Sequence, residues 1–228
     1  MTEQEWLTSE DLSAMRDAIC GEVSDRKLRL FACACVRQIW HRLEDDRSRK
    51  AVETAERFAD GAATENERQV DWDAAWDAAW TPAWTTAGLA AWAAARAAAR
   101  AEAWEVAWEV ARAAARAAAR PAVKATTCPA QAHLLRDIMG NPFCPATFAM
   151  PPHAAFRSDL WGFAYGIAKE AYTDRNPITG HLSPVRLAIL ADALEEAGCN
   201  ATTLLEHLRS PSTHIRGCWA LDLVLGKE

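Results

Sequence analysis

Apolar residues return every three or four positions along most of this chain. Leu12, Met15 and Ile19 form one such set. Leu28, Phe31, Ala32, Cys35, Ile39 and Leu43 form a longer one, with Arg26, Arg29, Arg37 and Arg42 on the other face. That spacing gathers apolar side chains on one side of an α-helix. Start and stop signals divide the pattern into elements. Gly21 closes the first helix and Ser24 can cap the second. A third is expected over 46–60, with Val52, Ala55 and Ala59 inward and Gly61 at its end. Thr64-Glu65-Asn66-Glu67 has the form of a capping box and opens a fourth. Thr81-Pro82 sets a cap before a proline at the first helical position, so the next helix is expected to run over 82–120, stopping at Pro121.

Further on, residues 131–139 read as helix, ending at Gly140, and 141–152 as a Pro-rich loop. Phe156, Leu160, Phe163 and Ile167 line another helix, and a turn-rich loop follows at 175–181. Ser183-Pro184 opens a helix with Leu187, Leu190 and Leu194 inward, ending at Gly198. Asn200 is the expected cap of a short helix to Arg209, Ser210-Pro211-Ser212 breaks it, and 215–225 reads as a last amphipathic helix. No convincing period-two run or hairpin signal interrupts the series. The expected class is all-α, a multi-helix bundle carrying a long helical insertion rich in Ala, Trp and Arg.

The insertion has its own rhythm. Trp72, Trp76, Trp80, Trp84, Gly88, Trp92, Arg96, Arg100, Trp104, Trp108, Arg112, Arg116 and Arg120 share a four-residue register, with Ala filling most of the gaps. A step of four residues overshoots a helical turn by about 40°, so the stripe winds around the helix. Neighbours four apart still touch. Trp92 with Arg96, Arg100 with Trp104 and Trp108 with Arg112 are candidate cation–π pairs, each worth about 0.5–1 kcal/mol when exposed. Four exposed Trp side chains make a patch of roughly 600–1,000 Å², more than soluble monomers usually leave wet. Trp72, Trp76, Trp80, Trp84, Trp92, Trp104 and Trp108, with Arg96, Arg100 and Arg112, are therefore the candidate surface for a protein partner or for self-association.

Composition divides the chain into a helical body, 1–61 and 126–228, and the tetrad-repeat insertion, 62–125, expected as a two-helix hairpin or a projecting long helix. Ala buries little area per residue, so removing 64–125 is expected to leave the body folded. The flanks also carry a resemblance. Ser24-Asp25-Arg26-Lys27-Leu28-Arg29-Leu30-Phe31-Ala32-Cys33-Ala34-Cys35, followed by Trp40, resembles the opening of a planctomycete-type bacterial protein family. Leu190-Ala191-Asp192-Ala193-Leu194-Glu195-Glu196-Ala197-Gly198-Cys199, then His214-Ile215-Arg216-Gly217-Cys218-Trp219 and Leu225-Gly226-Lys227, resembles its close. The resemblance covers roughly the first 60 and last 100 residues. Members differ in an Ala-rich middle, which fits an insertion. No activity is attached to that family, so no functional residue carries over.

Charge and chemistry narrow the function classes. The net charge of −6 argues against a general nucleic-acid binder. Arg96, Arg100, Arg112, Arg116 and Arg120 lie near Trp92, Trp104 and Trp108, as base stacking requires. Asp71, Asp73, Asp77, Glu102, Glu105 and Glu109 neutralise the same segment. The seven Cys show no framework spacing, and the acidic start Met1-Thr2-Glu3-Gln4-Glu5-Trp6 lacks a secretory pattern, so a cytoplasmic protein with free thiols is expected. No apolar run is long enough for a membrane span. Cys33 and Cys35 lie about 200° apart around a helix, Cys35 on the core face and Cys33 peripheral. Glu44, Asp45 and Asp46 beside Arg47 and Arg49 read as a solvated turn, and Asp192, Glu195 and Glu196 as an exposed face.

The constellation with metal chemistry is Cys199, His207, His214 and Cys218, separated by seven, six and three residues. Two thiolates and two imidazoles form a tetrahedral zinc set, although a tight Cys-x2-Cys knuckle is missing. No phosphate loop, catalytic triad order or His-Glu-x-x-His helix is present. The sequence thus points first to a non-catalytic helical interaction or scaffold protein without a resident cofactor. A zinc-type Cys/His module, or an enzyme centred on it, is the alternative, with nucleic-acid binding through the Trp/Arg helices third.

Overall fold

A computed structural model gives an all-α fold and describes residues 1–79, 103–118, 129–145 and 158–227. In chain order the described helices are α1 (Glu3–Thr8), α2 (Leu12–Ala18), α3 (Asp25–Arg37), α4 (Asp46–Ala59), α5 (Glu65–Ala79), α6 (Ala103–Ala118), α7 (Pro129–Met139), α8 (Ser158–Thr173), α9 (Pro184–Glu196), α10 (Thr202–Arg209) and α11 (Trp219–Leu225). Among the described residues the only extended pairings are isolated bridges, Arg175 with Leu182 and His181 with Ile215, and no helix is long and apolar enough to cross a membrane.

The helices begin where side chains satisfy orphan amides. Asp11 accepts from the amides of Ser13 and Ala14 at α2, Ser24 from Lys27 at α3, and Ser183 from Arg186 at α9. At α5 the capping box is reciprocal: the Thr64 amide donates to Glu67 Oε2 at 2.8 Å and the Glu67 amide to Thr64 Oγ1 at 3.2 Å. The cap before α10 is Ala201, without a side-chain bond, and not the expected Asn200.

The chain divides into two compact units, Thr8–Leu135 with Met1, and Arg136–Glu228 with Thr2–Leu7. This grouping differs from the expected body of 1–61 and 126–228 with a separate insertion at 62–125. In the first unit, α3 packs against α4 on one side and α6 on another. Phe31 meets Trp108 with ring centroids 5.3 Å apart, and Val110, Ala111 and Ala114 of α6 are buried. Covered on two sides, α3 buries Cys33 as fully as Cys35, which corrects the peripheral placement of Cys33. Arg37, expected on a polar face, is buried against Glu56 of α4, with Nη2 2.9 Å from Oε2. Asp71 of α5 accepts from Thr54 at 2.7 Å and pairs with Lys50 at 2.8 Å, fastening α5 to α4.

In the second unit, α9 packs between α8 and α10, and α11 lies against both of them. Leu187, Leu190, Leu194, Leu204, Leu208 and Leu221 form its core. The N-terminal segment joins this unit through α1, whose Trp6 is fully buried. The helix expected over 215–225 begins only at Trp219. Residues 214–218 instead form a turn, interrupted by Gly217 at φ +88°, outside helical backbone, and the Ile215 amide in that turn donates to a carboxylate on α7.

Candidate metal centre

That carboxylate belongs to Asp137, in the last turn of α7. His207 stands in the last turn of α10, whose end is held to α9 by Arg209, 2.8 Å from Asp192. His214 and Cys218 flank the turn before α11. The Leu182 amide donates to the His214 carbonyl at 2.9 Å, and His181 bridges Ile215, so the turn is pinned to the 175–182 loop. Each of the four side chains offers one donor atom, and the four atoms lie within 4.8 Å of one another.

The contacts share a common centre. Asp137 Oδ1 lies 2.8 Å from His214 Nδ1 and 3.2 Å from His207 Nε2. Cys218 Sγ lies 3.3 Å from His207 Nε2 and 3.8 Å from His214 Nδ1. Each imidazole thus presents a single nitrogen to both the carboxylate and the sulfur. A Cys–His–Asp nucleophile relay needs opposite ring nitrogens for acid and thiol, so the geometry does not fit that relay. Tetrahedral bonds of about 2.0–2.3 Å place donors about 3.3–3.8 Å apart. The 3.2, 3.3 and 3.8 Å separations fall in or beside that range, whereas the Asp137–His214 contact is shorter, at 2.8 Å, and the set spreads to 4.8 Å.

The surroundings are built for this arrangement. His214 Nε2 is 3.3 Å from the Ser210 carbonyl. A carbonyl only accepts, so Nε2 carries a proton; Nδ1 donates to Asp137 when no ion is bound and would turn its lone pair to an ion on losing its proton. Asp137 Oδ2 accepts the Ile215 amide at 2.9 Å, leaving Oδ1 for the centre. The His207 ring packs between those of His214, at 4.7 Å, and Trp219, at 4.8 Å. Asp137 and His214 are buried, whereas the His207 side chain is 20% exposed.

Electrostatics follow from this burial. Burial pushes the Asp137 carboxyl up, but hydrogen bonds and charge from His207 and His214 outweigh it and hold the group below its ordinary value. Burial pulls His214 down, and the bond to Asp137 with its charge more than reverses this. Cys218 is driven well above the ordinary thiol value, chiefly by burial and then by Asp137, with the amides of Leu221 and Ala220 pulling the other way. Without a cation the sulfur is an inert thiol. A divalent ion reverses that balance, because two neutral imidazoles, a carboxylate and a thiolate together carry the compensating charge.

No protein-family model matches the chain. No curated protein and no solved structure matches it either.

Of the four sequence-predicted ligands, the structure brings together His207, His214 and Cys218. Cys199 lies instead in the apolar cluster of the second unit, its amide bonded to the Leu194 carbonyl at 2.9 Å. Asp137 takes the fourth place and was not singled out by sequence. The tryptophan stripe is scattered among different settings. Trp108 is core, Trp72 packs on Ala51 and Ala75, Trp76 is exposed, and Arg112 is exposed. Trp104 falls on α6, while Trp80, Trp84, Trp92, Arg96 and Arg100 lie outside the described residues.

Gly140, just beyond α7, supports the site from behind. Its φ is +73°, and a Cβ there would come 3.1 Å from Trp219 Cγ. Gly140→Ala is expected to cost about 1–2 kcal/mol for the left-handed backbone, plus the displacement of Trp219. Gly21→Ala is the control, since its φ is +85° and an added Cβ meets nothing within 4 Å. Urea unfolding checks this: equal losses for the two variants would mean that the Trp219 contact carries no weight.

Proposed function

We propose that the second unit is a metal-binding module, and that its ion, zinc by donor chemistry, fastens the C-terminal part of the chain. The convergence of the Asp137, His207, His214 and Cys218 donor atoms within 4.8 Å carries this reading. One sulfur, two nitrogens and one oxygen suit zinc, which has no geometric demand of its own. Four protein donors fill the coordination sphere, as in structural sites; a catalytic site keeps a position open for water. The donors come from α7, α10 and the turn before α11, so the ion ties segments that are distant in sequence. The hydrogen bonds from Ile215 to Asp137 and from His214 to Ser210 support the reading, because they orient ligands as outer-shell partners do.

Protein purified without a histidine tag and dialysed against trace zinc tests it. The expected result is a single zinc ion per chain. Cobalt substitution should give the intense visible bands of a tetrahedral site, with a sulfur charge-transfer band that disappears in Cys218→Ser. Failure to take up stoichiometric zinc or cobalt would remove the proposal.

A further inference from the structure

The N-terminal segment meets the second unit at the turn that carries Asp137. Trp6 Nε1 donates to the Gly140 carbonyl at 3.1 Å, Arg136 Nε donates to the Trp6 carbonyl at 2.8 Å, and Asn141 Nδ2 donates to Glu3 Oε1 at 2.6 Å. These three partners bracket Asp137 in sequence. The Gly140 backbone also faces the Trp219 ring, since an added Cβ would come 3.1 Å from Trp219 Cγ, and that ring packs on His207. A continuous line of contacts therefore runs from Trp6 through Gly140 and Trp219 to His207, with Asp137 beside it.

Resting on the metal-centre reading, we propose that Thr2–Leu7 is a latch whose docking is coupled to occupancy of the metal centre. Helix α1 has only six residues, far fewer than the roughly 12–15 that an isolated helix needs. It stays folded through its dock, and elements of this kind open first. An ion on Asp137 and His207 fixes both sides of the surface that receives Trp6. Removing the ion frees the last turn of α7 and the His207–Trp219 stack, which loosens the dock. Linkage then demands the converse: a docked Trp6 raises the affinity for the ion by the same factor that the ion raises docking.

Two measurements on the full chain test the coupling. In the wild-type protein, hydrogen exchange of the α1 amides is expected to quicken about tenfold when zinc is removed by a chelator, with α3 amides as the reference. In Trp6→Ala, zinc affinity measured by chelator competition is expected to fall by a similar factor, about tenfold, with stoichiometry unchanged. Trp6→Phe keeps a ring but loses the bond to Gly140 and should fall between the two. Exchange of α1 that ignores zinc, or a Trp6→Ala protein that binds zinc as tightly as wild type, overturns the latch. If Trp6→Ala does not fold, the wild-type exchange measurement decides alone. Wild-type protein that takes up no zinc defeats the metal-centre reading itself, whereas uptake without coupling defeats only the latch.

Discussion

Asp137→Ala is expected to abolish tight metal binding and to cost the metal-free protein about 3–5 kcal/mol as well, the range for breaking a buried charge pair. The carboxylate serves three partners besides any ion, His207 Nε2 at 3.2 Å among them. It faces His214 at 2.8 Å and takes the Ile215 amide at 2.9 Å, in a setting where Asp137 is only 2% exposed. Deleting it strands a buried imidazole and a buried amide, neither of which water can reach freely. Cys218→Ala provides the contrast. It removes a ligand but, in the metal-free protein, only a small buried neutral thiol, whose sulfur makes weak hydrogen bonds to His207 Nε2 at 3.3 Å and to the Leu221 and Ala220 amides and carries no buried charge. Both variants should lose zinc, and only Asp137→Ala should lose most of its metal-free stability. Denaturant titration in chelator reads the difference; a Cys218→Ala protein as unstable as Asp137→Ala would mean that the carboxylate has no separate structural role.

The same pair fixes a pH signature. Asp137 is held below its ordinary 3.8, so the stability it supplies is present above that value and lost as pH falls through its lower folded value. His214 is held above its ordinary 6.5, so its contribution is full below 6.5 and lost as pH rises through its higher folded value. From this pair, metal-free protein is favoured most in mild acid, between those two ordinary values. Zinc requires the thiolate and neutral imidazoles, so its added stability grows as pH rises. The stabilisation by zinc should therefore be larger at about pH 7.5 than at about pH 5.5.

The helices were readable because their signals are local. Ser24, Thr64 and Ser183 cap α3, α5 and α9 through their own side chains, within three residues. The site was readable only in part. His207, His214 and Cys218 crowd into one short stretch and attract notice together, and Cys199 was grouped with them for that proximity alone. Asp137 sits on a different helix, where a carboxylate near the C-terminal end looks like any solvated residue. Its role exists only once α7 and the 214–218 turn are packed together. Helix α1 was missed for a different reason: Thr2-Glu3-Gln4-Glu5 is a reciprocal capping box, but a single Trp among acidic residues shows no helical period, and the rest of its support comes from its dock on 136–141.

Trp108→Ala is expected to destabilise the first unit by about 3–5 kcal/mol, the range for emptying a buried aromatic site. Trp108 is 3% exposed, with Phe31 of α3 against its ring and buried Ala107, Val110 and Ala111 beside it. An Ala-rich helix cannot close over that volume, because its neighbours carry too little side chain to collapse inward. Trp76 shares the four-residue register yet is 37% exposed, so Trp76→Ala should cost under about 1 kcal/mol. Composition alone suggested that 64–125 could be removed without harm. With α6 covering α3, that deletion should instead uncover Phe31 and leave an aggregating or molten product. Urea unfolding of the two point variants and thermal unfolding of the deletion decide the matter. If Trp108→Ala proves as mild as Trp76→Ala, or the deletion unfolds as cooperatively as the full chain, α6 is not part of the core.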